Sequence, residues 1–199
     1  MDYGKSIKFP LDDPSWVTKV IIGIVIGFIP IVNFAQQGYG LEIIRRVARG
    51  EEEELPAWDN FGSYIVQGLA VSVAVFIYSL PAMVLMGLFV LVLDSIGALS
   101  VLFILLFVVY MVALALLVPA AMTHYALEGY WTAMFDVSWI IGYVSRNLGN
   151  YIALLVVTLV FGAVAGLIGS IIIVGAIVVA FWVILMLGHL LGQLARNAA

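Results

Sequence analysis

The sequence predicts an all-α integral membrane protein, and three observations carry that expectation. Hydrophobic residues make up 65% of the chain and charged residues only 10%, where a soluble domain has roughly 45–50% apolar and about 25% charged residues. Mean hydropathy is +1.20. The apolar residues also come in two long runs, Leu69 to Val118 and Tyr151 to Leu191. A globule of 199 residues could not hide so much apolar surface, so lipid must solvate most of it. The length suits one helical bundle, residues 1–199, rather than two domains.

Met1 to Asp13 is polar and of mixed charge, with no small-residue cleavage site after the first apolar run, so the start is expected to be retained. Val20 to Val32 is short and broken at Pro30, whereas a spanning helix needs about 20 residues to cross about 30 Å of hydrocarbon. The first long run is interrupted by Asp94, Ser95 and Gly97, giving spans near Leu69–Leu93 and Ala98–Val118. The second carries Gly166, Gly169, Ser170 and Gly175 as turn residues and gives spans near Tyr151–Ile168 and Ile171–Leu191. Four transmembrane helices follow.

Charge placement bears on the first segment. The eight Lys and Arg residues are Lys5, Lys8, Lys19, Arg45, Arg46, Arg49, Arg146 and Arg196. If residues 17–44 dip in and return as a bent, re-entrant hairpin at Pro30, all eight share one face. The positive-inside rule then makes that face, and the N-terminus, cytoplasmic. Full crossing is the alternative and divides the cations five against three. Asn33, Gln36 and Gln37, polar residues at membrane depth, favour the hairpin because protein or a wet cavity must shield them.

Two amphipathic elbows are expected in the interface. In the first, Leu41, Ile44 and Ala48 share one helical face while Glu42, Arg45, Arg46 and Arg49 occupy the other. Gly50 is the stop, Glu51–Glu54 a solvated loop, and Asp59 a helix N-cap. Trp16 and Trp58 read as interfacial anchors. The second elbow, Pro119 to Gly149, is dense in Tyr125, Tyr130, Trp131, Phe135, Trp139 and Tyr143, the residue types that settle at headgroup level. Its order echoes the first, with a proline ending a helix and then a Gly-Tyr pair, which suggests a degenerate repeat of 17–93 and 98–170.

The N-terminal third carries a further string: Asp2-Tyr3-Gly4-Lys5-Ser6, Phe9-Pro10, Asp12-Asp13-Pro14-Ser15-Trp16, Pro30, Gly38-Tyr39, Arg45-Arg46, Gly50-Glu51 and Leu55-Pro56-Ala57-Trp58-Asp59. This resembles the prokaryotic membrane family known as domain of unknown function 4013, specifically over residues 2–70 and diffusely beyond. The resemblance implies an integral membrane protein of prokaryotic type, and with it the cytoplasmic membrane. It implies no activity and no catalytic residue.

Chemistry-bearing residues are few. The absence of cysteine excludes disulfides, thiolate nucleophiles and cysteine-ligated metals, and a net charge of −4 gives no nucleic-acid footprint. His124, Glu128, Thr132 and Asp136 recur every four residues, so a continuous helix would align them. His124 and Glu128 are the candidate metal pair, against the plainer reading of a water-facing helix side. His189 is the candidate cofactor ligand, against an ordinary interfacial histidine; no cofactor is expected. Arg45, Arg46 and Arg49 suit anionic lipid headgroups or simple topological anchoring. Gly162-x-x-x-Gly166 and Gly23-x-x-x-Gly27 allow close helix approach.

Three function classes remain open. The first is a non-catalytic membrane component that packs with lipids, with itself as a homo-oligomer, or with subunits of a larger membrane complex. The second is a small-solute or ion transporter, resting on the Pro30 break and the Asn33–Gln37 polar group. The third is an intramembrane enzyme or cofactor carrier.

Overall fold

A computed structural model describes residues 1–51, 54–92, 97–171 and 173–198. The described residues form eight α-helices joined by short 3₁₀ turns: α1 (Tyr3–Lys8), α2 (Trp16–Gly27), α3 (Phe34–Ala48), α4 (Phe61–Val92), α5 (Gly97–Glu128), α6 (Val137–Arg146), α7 (Leu148–Ile171) and α8 (Ile173–Ala198). Four of them, Trp58–Leu91, Leu99–Glu128, Leu148–Ile168 and Gly175–Ala198, are long and apolar enough to cross a membrane. Backbone amides have no other partner in hydrocarbon, so the apolar runs become uninterrupted helices.

The first apolar segment is a hairpin. α2 has 12 residues and α3 has 15, about 18 and 22 Å long at 1.5 Å per residue, so neither crosses alone. The turn between them contains Pro30 and Ile31, and Ile31 takes a left-handed φ of 71°. Gln36 Nε2 on the return arm donates to Gly23 O on α2 at 2.9 Å, which ties the two arms together.

α3 is the centre of the packing. It runs antiparallel to α4, with Gly38 over Tyr64 and Phe34 over Gly68, and parallel to α8, with Gly40 near Gly188 and Val47 near Gly192. Tyr39, Leu41, Ile43, Ile44 and Val47 are all buried on its flanks. The first amphipathic elbow is therefore the second half of this helix, its apolar side set against protein. Gly50 ends it at φ 87°: Gly50 N donates to Val47 O at 3.0 Å and Glu51 N to Arg46 O at 2.9 Å. This is the paired-bond cap that a left-handed residue permits.

Several boundaries differ from the sequence expectation. Pro119 lies inside α5, as Pro81 lies inside α4, because a helix in lipid keeps its remaining hydrogen bonds rather than open an end. α5 instead stops at Gly129, whose φ is 83°. Gly169 and Ser170 stay within α7, which continues to Ile171. Asp59 falls inside the 3₁₀ turn Trp58–Asn60 and leads directly into α4. The Asp94–Ser95 turn and Glu52–Glu53 lie outside the described residues.

All eight cations gather at one end of the bundle. α1 docks on the end of α8, where Asp2 N donates to Gln193 Oε1 at 2.7 Å. Lys19 reaches Leu55 just before α4, and Arg45 reaches Ala126 near the end of α5. Arg146 closes α6 just before α7, and Arg196 lies in the last turn of α8. The buried core sits at that end too: Tyr64, Val71 and Ala74 of α4, Ala120 to Ala126 of α5, Tyr151 and Leu154 of α7, and Phe181 to Leu194 of α8.

A Cβ on Gly68 would sit inside the Phe34 carbonyl, whereas one on Gly87 of the same helix meets nothing within 4 Å. Gly68→Ala should therefore force α3 and α4 apart and destabilise the protein by about 1–3 kcal/mol. Gly87→Ala should be neutral or stabilising by up to about 1 kcal/mol through helix propensity. Thermal unfolding of the two variants in detergent separates these outcomes.

Candidate functional site

The most polar buried arrangement joins the N-terminus to the loop before α4. Asp13, 1% exposed, accepts from Ser15 N at 2.5 Å, Ser15 Oγ at 2.7 Å, Lys19 Nζ at 2.6 Å and Leu55 N at 2.9 Å. Lys19 Nζ also donates to Leu55 O at 2.7 Å. Around this pair, Trp58 Nε1 donates to Lys19 O at 2.9 Å and Tyr39 OH to Pro56 O at 2.7 Å. The Tyr39 and Trp58 rings stack at 4.2 Å. The separated motifs Asp12–Trp16, Gly38-Tyr39 and Leu55–Asp59 thus meet in one latch. Sequence reading treated Trp16 and Trp58 as anchors and gave Asp13 and Lys19 no site role; two opposite charges six residues apart at a helix start were the available signal.

Burial alone would raise the Asp13 pKa. The hydrogen bonds from Lys19 and Ser15, with the Lys19 charge, outweigh it and hold the carboxyl at about 2. Each charge of this latch is engaged by the other and by the Leu55 backbone.

His189 also holds chain segments together. Its ring is fully buried and stacks on Phe9 at 4.4 Å, and its Nδ1 lies 2.7 Å from Ser6 Oγ and 3.2 Å from Gln193 Nε2. These contacts pin α1 to α8.

The four-residue series from His124 does not form a stripe, because Gly129 ends α5 inside it. His124 is buried, with its ring stacked on Trp139 at 3.9 Å, and its Nδ1 lies 3.0 Å from Ala133 O. A carbonyl only accepts, so Nδ1 carries the proton and Nε2 is the nitrogen left to face Glu128, 3.9 Å away. Thr132 falls in the 3₁₀ turn Trp131–Phe135, and Asp136 caps α6 by accepting from Trp139 N at 3.0 Å. Among the described residues no group of three or more His, Asp or Glu side chains could hold a metal ion.

The arginines divide by role. Arg45 Nε donates to Ala126 O at 2.8 Å, and its Nη1 reaches Gln67 Oε1 at 2.9 Å and Glu42 at 3.0 Å. It therefore ties α3 to α4 and α5. Arg46 and Arg49 pair with Glu51, each at 3.4 Å, and the largely exposed Arg49 also reaches Glu42 at 3.9 Å.

Asn33, Gln36 and Gln37 do not converge. Asn33 is exposed at the hairpin tip, and Gln36 is bound to Gly23 O. Gln37 lines a cavity of about 310 Å³ between α3, α5, α7 and α8, with Gly40, Ala115, Pro119, Leu154, Thr158 and Gly188 among its walls. The Thr158 hydroxyl donates to Leu154 O at 2.8 Å.

The chain matches the family described as protein of unknown function DUF4013 over residues 21–174, and it belongs to that family. The match begins at residue 21, after the Asp2–Trp16 part of the N-terminal string, and runs through α7, beyond the residues where the resemblance was specific. No curated protein and no solved structure matches the chain.

The Asp13 carboxyl makes stability depend on pH. Its folded pKa of about 2 lies below its ordinary value of 3.8, so its contribution is complete above pH 3.8 and is lost as pH falls through 2. The wild type should lose about 2 kcal/mol over that interval, seen as a fall in Tm of roughly 4–8 °C. Asp13→Asn should show no such component and be less stable at pH 7, which a series of thermal melts against pH would reveal.

Proposed function

We propose that this DUF4013 protein is a non-catalytic membrane component that works by packing, with a second copy of itself or with subunits of a larger membrane complex. The observation that carries this reading is the one-sided core. Across an apolar 18-residue stretch of each of the first three spans, only 11%, 0% and 12% of the residues are buried, against 44% for the last. Beyond the charged end, Met83, Leu91, Leu105 and Val109 on α4 and α5, and Leu159, Val160 and Leu167 on α7, all face outward.

Lipid tails satisfy such surfaces, so apolarity alone drives no association; helices meet where small residues let backbones approach. Gly23 and Gly27 are already covered by Phe181, Ile177 and Gln36, whereas Gly162 and Gly166 have nothing within 4 Å. That open face of α7 is the contact expected of a partner helix. With all eight cations at one end, the positive-inside bias supports a prokaryotic cytoplasmic membrane with both described termini inside. A transport path would need the polar residues of the hairpin to converge, and their divergence favours packing instead.

The chain has no cysteine, so single cysteines report contacts cleanly. Leu159→Cys should form a disulfide-linked dimer in native membranes while Val109→Cys does not. Gly162→Leu with Gly166→Leu should weaken association at least tenfold, about 1.4 kcal/mol, by native mass or energy transfer. A wild type that stays monomeric and brings down no membrane subunit would overturn the proposal.

A further inference from the structure

The cavity beside Gln37 has a polar chemistry that its own walls do not satisfy. Among the described residues Gln37 makes no hydrogen bond through its side chain, unlike Gln36 one residue earlier. Its amide therefore presents both donors and an acceptor to a space whose other polar side chain, Thr158, gives its proton to Leu154 O. Pro119 lies in the same wall as Ala115, one turn earlier. Proline has no N–H, so the Ala115 carbonyl receives no helical hydrogen bond from residue 119. One wall thus offers an amide and the facing helix an acceptor that α-helix geometry leaves unserved.

A hydroxyl is the group that answers both, donating to a carbonyl while accepting from an amide N–H. No ionised side chain lines the cavity, so a phosphate or ammonium head would be desolvated there without a counter-charge. Its volume, about 310 Å³, falls at the small end of ligand pockets. Ala115 is exposed and Leu114, Leu155 and Thr158 are half-buried, so the space opens between α5 and α7, toward the bilayer. The geometry points to a binding site for an uncharged lipid alcohol, its hydroxyl between Gln37 and Ala115 and its chain leaving between α5 and α7. Acyl-chain alcohols such as a diacylglycerol, and isoprenoid alcohols, share this chemistry. Thr158 stands one turn before Gly162 on α7, so the site adjoins the Gly162–Gly166 face on the side of the charged end, and labelling of the monomer in dilute liposomes separates it from self-association.

The test is photolabelling of the full chain in phosphatidylcholine liposomes, with labelled peptides mapped by mass spectrometry. Three diazirine probes are compared: a diacylglycerol, its O-methyl ether and a prenyl alcohol. At least one alcohol should label residues 114–122 and 154–158, and whichever labels more strongly identifies the source. The methyl ether, which cannot donate, should label at least fivefold less. Ala115→Phe, a filling change at an exposed position, should abolish the labelling. Gln37→Leu and Pro119→Ala, the latter restoring a backbone N–H to α5, should each reduce alcohol labelling severalfold and bring it to the level of the ether. Equal labelling by all three probes, labelling spread evenly over α4 and α5, or labelling indifferent to Ala115→Phe would mean annular lipid only and would overturn the site. A fourth diazirine probe, a phosphatidylglycerol, should label these peptides less than the alcohols, and stronger labelling by it would overturn the uncharged class. Size-exclusion profiles identical to wild type exclude misfolding as the cause of any loss.

Discussion

The fold depends on how closely two backbones can approach α3. On one side Gly38 and Gly68 bring α3 and α4 together so tightly that the Cβ of either residue would strike backbone; on the other, Gly188 and Gly192 do the same against Gly40 O and Ile44 O. Helices in a bilayer gain nothing from mutual apolarity, since lipid is an equally good solvent, so contact area and dispersion must hold them. Glycine at the crossing converts a loose contact into an extended one. A helix of only 15 residues, too short to span, is thereby fixed in the middle of the bundle.

Once α3 is fixed, the rest of the charged end follows. Its aromatic residue Tyr39 carries the stack with Trp58, its Arg45 reaches α4 and α5, and its capped end at Gly50 turns the chain toward Leu55. There the Asp13–Lys19 pair closes the N-terminal segment over the hairpin. The pair tolerates burial because four donors reach the Asp13 carboxylate and Lys19 has a second acceptor in Leu55 O. A half-satisfied charge in that position would be destabilising. The same end holds His124 and His189, each buried against an aromatic ring and bonded through Nδ1. Histidine here serves as a flat, polar spacer between helices.

Hydropathy and length made the four spans and the hairpin legible from the sequence, because lipid allows so few alternatives for the backbone. Turn chemistry at Gly50 was legible as well, a stop after a cationic last turn. Pro119 was misread as a helix end, since the rule that proline breaks helices belongs to water, where freed carbonyls find solvent. The polar series from His124 depended on an unbroken helix that Gly129 interrupts. Asp13 and Lys19 escaped notice because their partner, Leu55, lies 42 residues from Asp13, and no local pattern announces a backbone acceptor. The Gly188 and Gly192 pair on α8 drew no reading from the sequence, because such spacings are common in apolar helices, and only the position of α3 distinguishes the occupied pair from the open one on α7.

The contrast between the two ends of the molecule is itself informative. At the charged end, side chains from distant segments meet in the Asp13–Lys19, His189 and Arg45 contacts. Among the described residues, however, the buried Tyr143 and Tyr151 hydroxyls have no hydrogen-bond partner, and on α3 the Gln37 amide makes no side-chain hydrogen bond. Where that core gives way toward the middle of the bundle, α5 touches α7 and α8 only sparsely, and the space between them is the cavity. A bundle selected for rigidity alone would fill that space with one larger side chain at Ala115 or Gly188, or replace Gln37 by leucine, since an unpartnered amide in apolar surroundings costs about 1–3 kcal/mol. Gly188 cannot grow without striking Gly40 O, 3.0 Å from its would-be Cβ, so that opening is a by-product of the α3–α8 crossing. No such contact explains Gln37. A half-buried amide that faces this space without a partner is a feature that packing does not account for, and a hydroxyl-bearing occupant does.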